Sequence, residues 1–172
     1  FEAAVHQRYG AFADRLLALY PHGSETDVRR SNVLLARDRY MAGALVWAQK
    51  RKAVSGQDVR VFLYDHDYPA APGGMGWGAF HSSQLPYVFG NLGQGGRRFT
   101  AADAGISRQW QDVILAFMRK GGNKAWPAVT AASGTRAMRL GDKTGYGPVV
   151  SSPERLAAFR EYAAAGGNLG LM

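Results

Sequence analysis

Only one stretch of this chain, Val59-Arg60-Val61-Phe62-Leu63-Tyr64-Asp65, has the β-branched and aromatic enrichment of a good strand, and helical patterns surround it. That imbalance limits the possible folds more than any other feature. A second short strand is expected at Ala137 to Leu140, turned by Gly141-Asp142. Two strands cannot sustain a sheet by themselves. The apolar run Val59 to Tyr64 reads as buried on both faces, as in a parallel sheet whose other strands lie elsewhere. The expected class is therefore α/β: helix-rich, with the last few strands of a mostly parallel sheet.

The helices announce themselves by spacing and caps. Phe1, Val5, Phe12 and Leu16 repeat at helical intervals, with Gly10 as a break between two short helices. Ser24 with Asp27 three residues later opens a helix carrying Val28, Leu34 and Leu35. Asp38 is expected to cap a separate helix from Arg39 to about Lys52, ended at Ser55-Gly56. Ser107 is expected to cap a helix that places Trp110, Val113, Ile114 and Phe117 on one inward face and stops at Gly121-Gly122. The last helix takes Ser152 as N-cap and Pro153 at its first position, turns Leu156, Phe159 and Ala163 inward, and closes at Gly166-Gly167. No internal repeat or low-complexity tract interrupts this order.

Composition narrows the functional classes. With 172 residues, 47% hydrophobic and 12% aromatic, the chain is suited to a packed core and not to disorder. No uninterrupted apolar run reaches the roughly 18 residues of a membrane span. Absence of cysteine removes disulfides and thiolate metal sites. The net charge of +8 raises nucleic-acid binding, but the cations are scattered (Arg29-Arg30, Lys50-Arg51-Lys52, Arg97-Arg98, Arg119-Lys120) and form no stripe. The reading is no nucleic-acid partner.

Chemistry concentrates after the strand. A glycine-rich loop from Pro69 to Gly78 leads into Gly78-Ala79-Phe80-His81-Ser82-Ser83-Gln84-Leu85-Pro86-Tyr87-Val88-Phe89-Gly90. A histidine on a loop leaving the end of a strand can move protons near neutral pH. As a general base, His81 needs a hydroxyl to deprotonate and a carboxylate to orient its ring. No Gly-x-Ser-x-Gly elbow occurs in the chain, and Gly105-Ile106-Ser107 is followed by Gln109 where the elbow needs glycine. Trp77 and Phe80 flank His81 and would suit an apolar acyl or alcohol pocket, or equally pack the loop. Tyr87 and Phe89 are expected to alternate along an extended stretch and anchor the loop.

These residues resemble the C-terminal portion of the type-B carboxylesterases, the cholinesterase-like branch of the α/β-hydrolases. The stretch from Gly78 to Leu92 is similar to that family's catalytic-histidine signature, and Val61 to Asp67 to the strand before it. Phe99-Thr100-Ala101-Ala102-Asp103 resembles the segment preceding the family's next helix. Trp110 to Phe117, Trp126-Pro127-Ala128-Val129 and Met138-Arg139-Leu140-Gly141-Asp142 follow in the family's order, and Leu19-Tyr20-Pro21 fits upstream. Gln84 stands where the family usually has Glu. The resemblance implies a serine carboxylesterase acting through an acyl-enzyme. His81 would be the catalytic histidine, and no cofactor is required. The serine, oxyanion glycines and acid would lie on an N-terminal portion before Phe1, so residues 1–172 read as one incomplete C-terminal segment, inactive alone. Its implied partners are that N-terminal portion and a small-molecule ester. Family members are often secreted or periplasmic, and the compartment of this chain stays open. The alternative is a non-catalytic cholinesterase-like interaction module.

Two other groups of residues could carry chemistry. Asp65, His66 and Asp67 raise a metal site, but strand alternation would put the two carboxylates on one side and His66 on the other, so no metal is expected. His6 and His22 read as surface residues without partners nearby in sequence.

Overall fold

The computed structural model describes residues 1–122 and 124–170. The chain divides into two compact units. One comprises Phe1–Val61, Ala128–Arg136 and Gly147–Met172; the other comprises Phe62–Pro127 and Ala137–Tyr146.

In the first unit, α1 (Glu2–Tyr9) ends at Gly10, a 3-10 turn spans Gly10–Phe12, and α2 (Ala13–Leu17) follows. Ser24 caps α3, its hydroxyl accepting from the Asp27 amide at 3.1 Å. α3 then runs unbroken from Glu25 to Ser55. The expected second helix start at Asp38 is therefore corrected. An N-cap carboxylate must accept from amides just ahead of it, whereas that of Asp38 is committed to other chain segments. It accepts from the Tyr20 hydroxyl at 3.0 Å and from the Ser151 amide and hydroxyl at 3.0 and 2.8 Å. Nothing then competes with the backbone ladder through residue 38. Leu35, Ala42, Leu45 and Ala48 form the buried stripe of α3.

α6 (Pro153–Ala164) packs against this stripe with Leu156 and Phe159 buried, capped by Ser152 as expected. Arg155 donates to the Leu19 carbonyl at 2.7 Å and lies over the Tyr20 ring. His22 is not a bare surface residue: its Nδ1 lies 2.8 Å from the Tyr20 carbonyl and its Nε2 3.4 Å from Glu2. His6 approaches Asp14 at 3.5 Å.

A small mixed sheet has the order β1-β2-β3. β1 (Phe62–Tyr64) pairs in parallel with β2 (Arg136–Leu140), Phe62 opposite Met138 and Tyr64 opposite Leu140. β3 (Gly145–Pro148) lies outside the two expected strands, because its glycines and proline dilute the strand preference of Tyr146. The chain is helix-rich with a small sheet, consistent with the expected α/β class; the sheet is mixed, and its β1–β2 pair is parallel. β1 is also shorter than the predicted Val59–Asp65, since the Val59 carbonyl already accepts from the Val129 amide. Nor is β1 buried on both faces: Phe62 is 36% exposed, and Leu63 and Tyr64 are partly exposed.

Across the sheet lie α4 (Leu85–Val88) and α5 (Ala101–Lys120), and the core joins Tyr87, Ile106, Trp110, Trp126, Met138 and Leu140. α5 starts six residues before the expected Ser107, so Ala101 to Asp103 belong to the helix and do not precede it. Its true cap is a reciprocal box: the Thr100 hydroxyl accepts from the Asp103 amide while Asp103 accepts from the Thr100 amide. Ser107 is buried mid-helix and donates to the Tyr87 carbonyl at 2.8 Å. Trp110 is core, as expected, but Phe117 is 42% exposed. It touches the Trp126 ring from the rim of the cluster instead.

No helix among the described residues is long and apolar enough to cross a membrane. Among the same residues, no group of three or more metal-ligating side chains is placed to hold an ion.

Candidate functional site

The histidine loop is built on an aromatic pedestal. Leaving β1, the chain passes Asp65, whose carboxylate pairs with Arg139 of the neighbouring strand. The Tyr68 amide donates to the Gly78 carbonyl at 3.2 Å, closing the glycine-rich loop on itself. Tyr68 then serves as a hub. Its ring meets Phe80, Tyr87 and Phe99 edge-on, and Arg97 lies over it at 4.9 Å while donating to the Pro69 carbonyl. Edge-to-face aromatic pairs hold a loop without a regular ladder.

His81 sits on the turn above this pedestal. The Ser83 amide donates to the Phe80 carbonyl, and the Leu85 amide to the Ser82 carbonyl. Ser82 has φ of 72°, the only positive φ outside glycine among the described residues. That conformation is unfavourable for an L side chain, and its place beside His81 marks a backbone held by its surroundings. The His81 side chain is exposed and has no hydrogen-bond or ion-pair partner among the described residues. Around it, Trp77 is 74% exposed and Phe80 43%. Leu85 and Phe89 are exposed as well.

The stretch expected to be extended at Tyr87 to Phe89 is instead the helical turn α4 followed by its C-cap. Gln84 supplies backbone only to it, its carbonyl accepting from the Tyr87 and Val88 amides. Pro86 fits the first turn, where no amide is needed. Helical winding separates the two aromatics. Tyr87 turns fully inward and Phe89 stays 77% exposed.

Tyr87 leads to the residue that sequence reasoning set aside. Its hydroxyl donates to Asp103 Oδ1 at 2.6 Å. The same oxygen lies 3.0 Å from His66 Nε2, and the opposite ring nitrogen of His66 meets Asp142. Asp103 Oδ2 accepts from the Thr100 amide and hydroxyl at 2.7 and 2.6 Å. Both nitrogens of His66 therefore face carboxylates, which favours the doubly protonated, charged ring. Burial works against that charge, but the hydrogen bonds to Asp142 and Asp103 prevail and hold the His66 pKa above the ordinary value. Burial likewise opposes the charge on Asp103, and the Thr100, Tyr87 and His66 hydrogen bonds overcome it, leaving its carboxyl well below the usual range. Burial first, and the bond to Asp103 second, push the Tyr87 phenol far above its usual range. The result is one hydrogen-bonded network that raises the pKa of His66 and of Tyr87 and lowers that of Asp103.

The carboxylates that meet His66 are not those of its sequence neighbours Asp65 and Asp67 but Asp103 and Asp142, which the sequence reading did not consider. The strand ends at Tyr64, so side chains beyond it no longer alternate. Its partners come from α5 and from the turn after β2, both distant in sequence. Gly141 lets that turn approach. With φ of 151°, its position leaves a Cβ only 2.5 Å from Asp65 Oδ1 and 2.9 Å from the His66 amide nitrogen. Only glycine brings Asp142 to His66 in this way.

The arrangement supports one chemical role. A histidine with two free ring nitrogens, held on a strained turn over a rigid base, can exchange protons with a hydroxyl presented from outside. His66 cannot do so, because both its nitrogens are engaged. Its bond to Asp103 ties the end of β1 to α5 and, through the Tyr87 hydroxyl on the same oxygen, to α4. No family model and no curated protein matches the chain.

Proposed function

We propose that this chain is the C-terminal part of a serine carboxylesterase and contributes His81 as its catalytic base and acid. In that reaction His81 takes the proton of a serine hydroxyl on the N-terminal portion as the serine attacks the ester carbonyl. It returns the proton to the departing alcohol, then draws one from water to release the acid and regenerate the serine. Exposed Trp77 and Phe80 would form part of an apolar wall once the N-terminal portion covers them.

The observation that carries the reading is the exposed imidazole of His81, without a partner among the described residues, on a loop otherwise fixed from below. A structural histidine in this position would be bonded, as His66 is. The test is hydrolysis of p-nitrophenyl acetate by the chain with and without the N-terminal portion. The chain alone should be inactive, and the assembled protein active. His81→Gln should then remove activity by about 10³-fold or more while assembly persists. Turnover by the isolated chain, or an assembled His81→Gln protein of unchanged rate, would refute the proposal.

A further inference from the structure

The helical unit holds a buried cation for which the described residues supply no anion. Arg39, midway along α3, is only 8% exposed. Its guanidinium lies over the Tyr40 ring at 4.5 Å but makes no hydrogen bond or ion pair among the described residues, and its Nε is buried without an acceptor. The preceding residue shows how unusual this is, since buried Asp38 has acceptor contacts on every side. Close by, the Tyr9 hydroxyl is buried and equally unpartnered. Burial, partly offset by Arg39 and Arg8, pushes the Tyr9 phenol up to about 12, so it keeps its proton and remains a donor.

These donors border two cavities that share Ala4, Arg8 and Arg39. One, of about 670 Å³, extends to Tyr40, Tyr162 and Gly170; the other, of about 190 Å³, reaches Tyr9. Among the described residues, no aspartate or glutamate lines either one. The wall of the larger is shaped by close glycine approaches. A Cβ at Gly170 would lie 2.8 Å from the Tyr40 ring, and one at Gly167 2.4 Å from the Tyr162 ring. The cavity is thus bounded by packed aromatics and furnished with donors that lack acceptors.

We propose that this cavity binds a carboxylate, held by the Arg39 guanidinium with Arg8 at the mouth and the Tyr9 hydroxyl as a further donor. A buried charge without a counter-charge is unfavourable, and a planar carboxylate matches the guanidinium fork with two parallel hydrogen bonds. The volume admits a small organic acid or the side chain of a glutamate or aspartate on another polypeptide segment. Both sources present the same group.

The test uses the whole chain at pH 7 and constant ionic strength, with calorimetry and thermal melting as readouts. The probes are succinate, N-acetylglutamate amide and the neutral isostere succinamide. Succinate or N-acetylglutamate amide should bind saturably, below about 10 mM, and raise the melting temperature, while succinamide should do neither. Tighter binding of succinate identifies a free acid as the ligand, and tighter binding of N-acetylglutamate amide identifies a protein side chain. Arg39→Met should weaken the carboxylate at least about tenfold and, without ligand, melt no lower than the parent, because it removes an unpaired buried charge. Tyr9→Phe and Arg8→Gln, which leave Arg39 in place, should each weaken binding about two- to tenfold. Equal binding of succinamide, absence of carboxylate binding, or unchanged affinity in Arg39→Met overturns the proposal. So does a ligand-free Arg39→Met protein that melts well below the parent, since Arg39 would then be compensated within the fold.

Discussion

Two histidines border the same glycine-rich loop and live opposite lives. His66, at the loop's start, is largely buried and spends both ring nitrogens on carboxylates. His81, at its end, is exposed and bonds to nothing among the described residues. The contrast separates two duties that histidine can have. A ring with both nitrogens committed gains stability and loses reactivity, because any proton exchange must first break a bond to a carboxylate. A ring with both nitrogens free contributes little to folding and stays available for a proton donor brought from outside.

The buried side of this comparison can be broken at Asp103, where the largest effect is expected. Asp103→Ala would strand the Tyr87 hydroxyl, the Thr100 amide and one nitrogen of His66 at once. Removing one partner from a buried charged pair is far more damaging than never having had the pair. The expected loss is about 3 kcal/mol or more in urea unfolding. A loss under about 1 kcal/mol would mean that the network holds nothing together.

A smaller and pH-dependent effect is expected at His66. Its pKa is raised in the folded state, so the stability it contributes is complete below the ordinary histidine value of about 6.5 and fades as pH climbs through the raised one. Asp103 has the opposite sign: its pKa is depressed, so its contribution is present above about 3.8 and fades as pH falls. Between about pH 4 and 6.5 both are in force. His66→Gln should therefore destabilise by about 1–2 kcal/mol near pH 5.5, and by visibly less at pH 9, in parallel denaturation series. A gap between parent and variant that widens with rising pH would contradict the charged ring.

Much of the fold could be read locally, and the site's support could not. Ser24, Ser152, Gly10 and β2 were legible because caps and turns are decided by the residues beside them. Asp38 and Ser107 misled for the same reason. Both residue types favour helix starts, yet here their side chains are claimed by Ser151 and by the Tyr87 carbonyl, which only the tertiary fold brings near. At α5 the true cap lay in plain view as Thr100 with Asp103, but the more apolar periodicity from Trp110 outweighed it. His81 was legible from its loop and its resemblance to a family signature. His66 was not, because one acid that fixes it stands on α5 and the other after β2. The one local hint was Gly141-Asp142, a turn in which only glycine allows the acid so near.

The smallest expected effect tests the free side of the comparison. His81→Ala removes a side chain that is exposed, unbonded among the described residues and next to Phe80, whose own ring contact runs to Tyr68. Nothing in the folded state loses a partner, so unfolding free energy should change by no more than about 0.5 kcal/mol. The turn itself should also persist, since Ser82 keeps its conformation through the backbone bonds on either side and through buried Ser83. Urea unfolding at one pH suffices as the measurement. A loss above about 1 kcal/mol would place His81 in the same class as His66, a ring used for structure. It would also remove the main physical reason for assigning proton transfer to His81 alone.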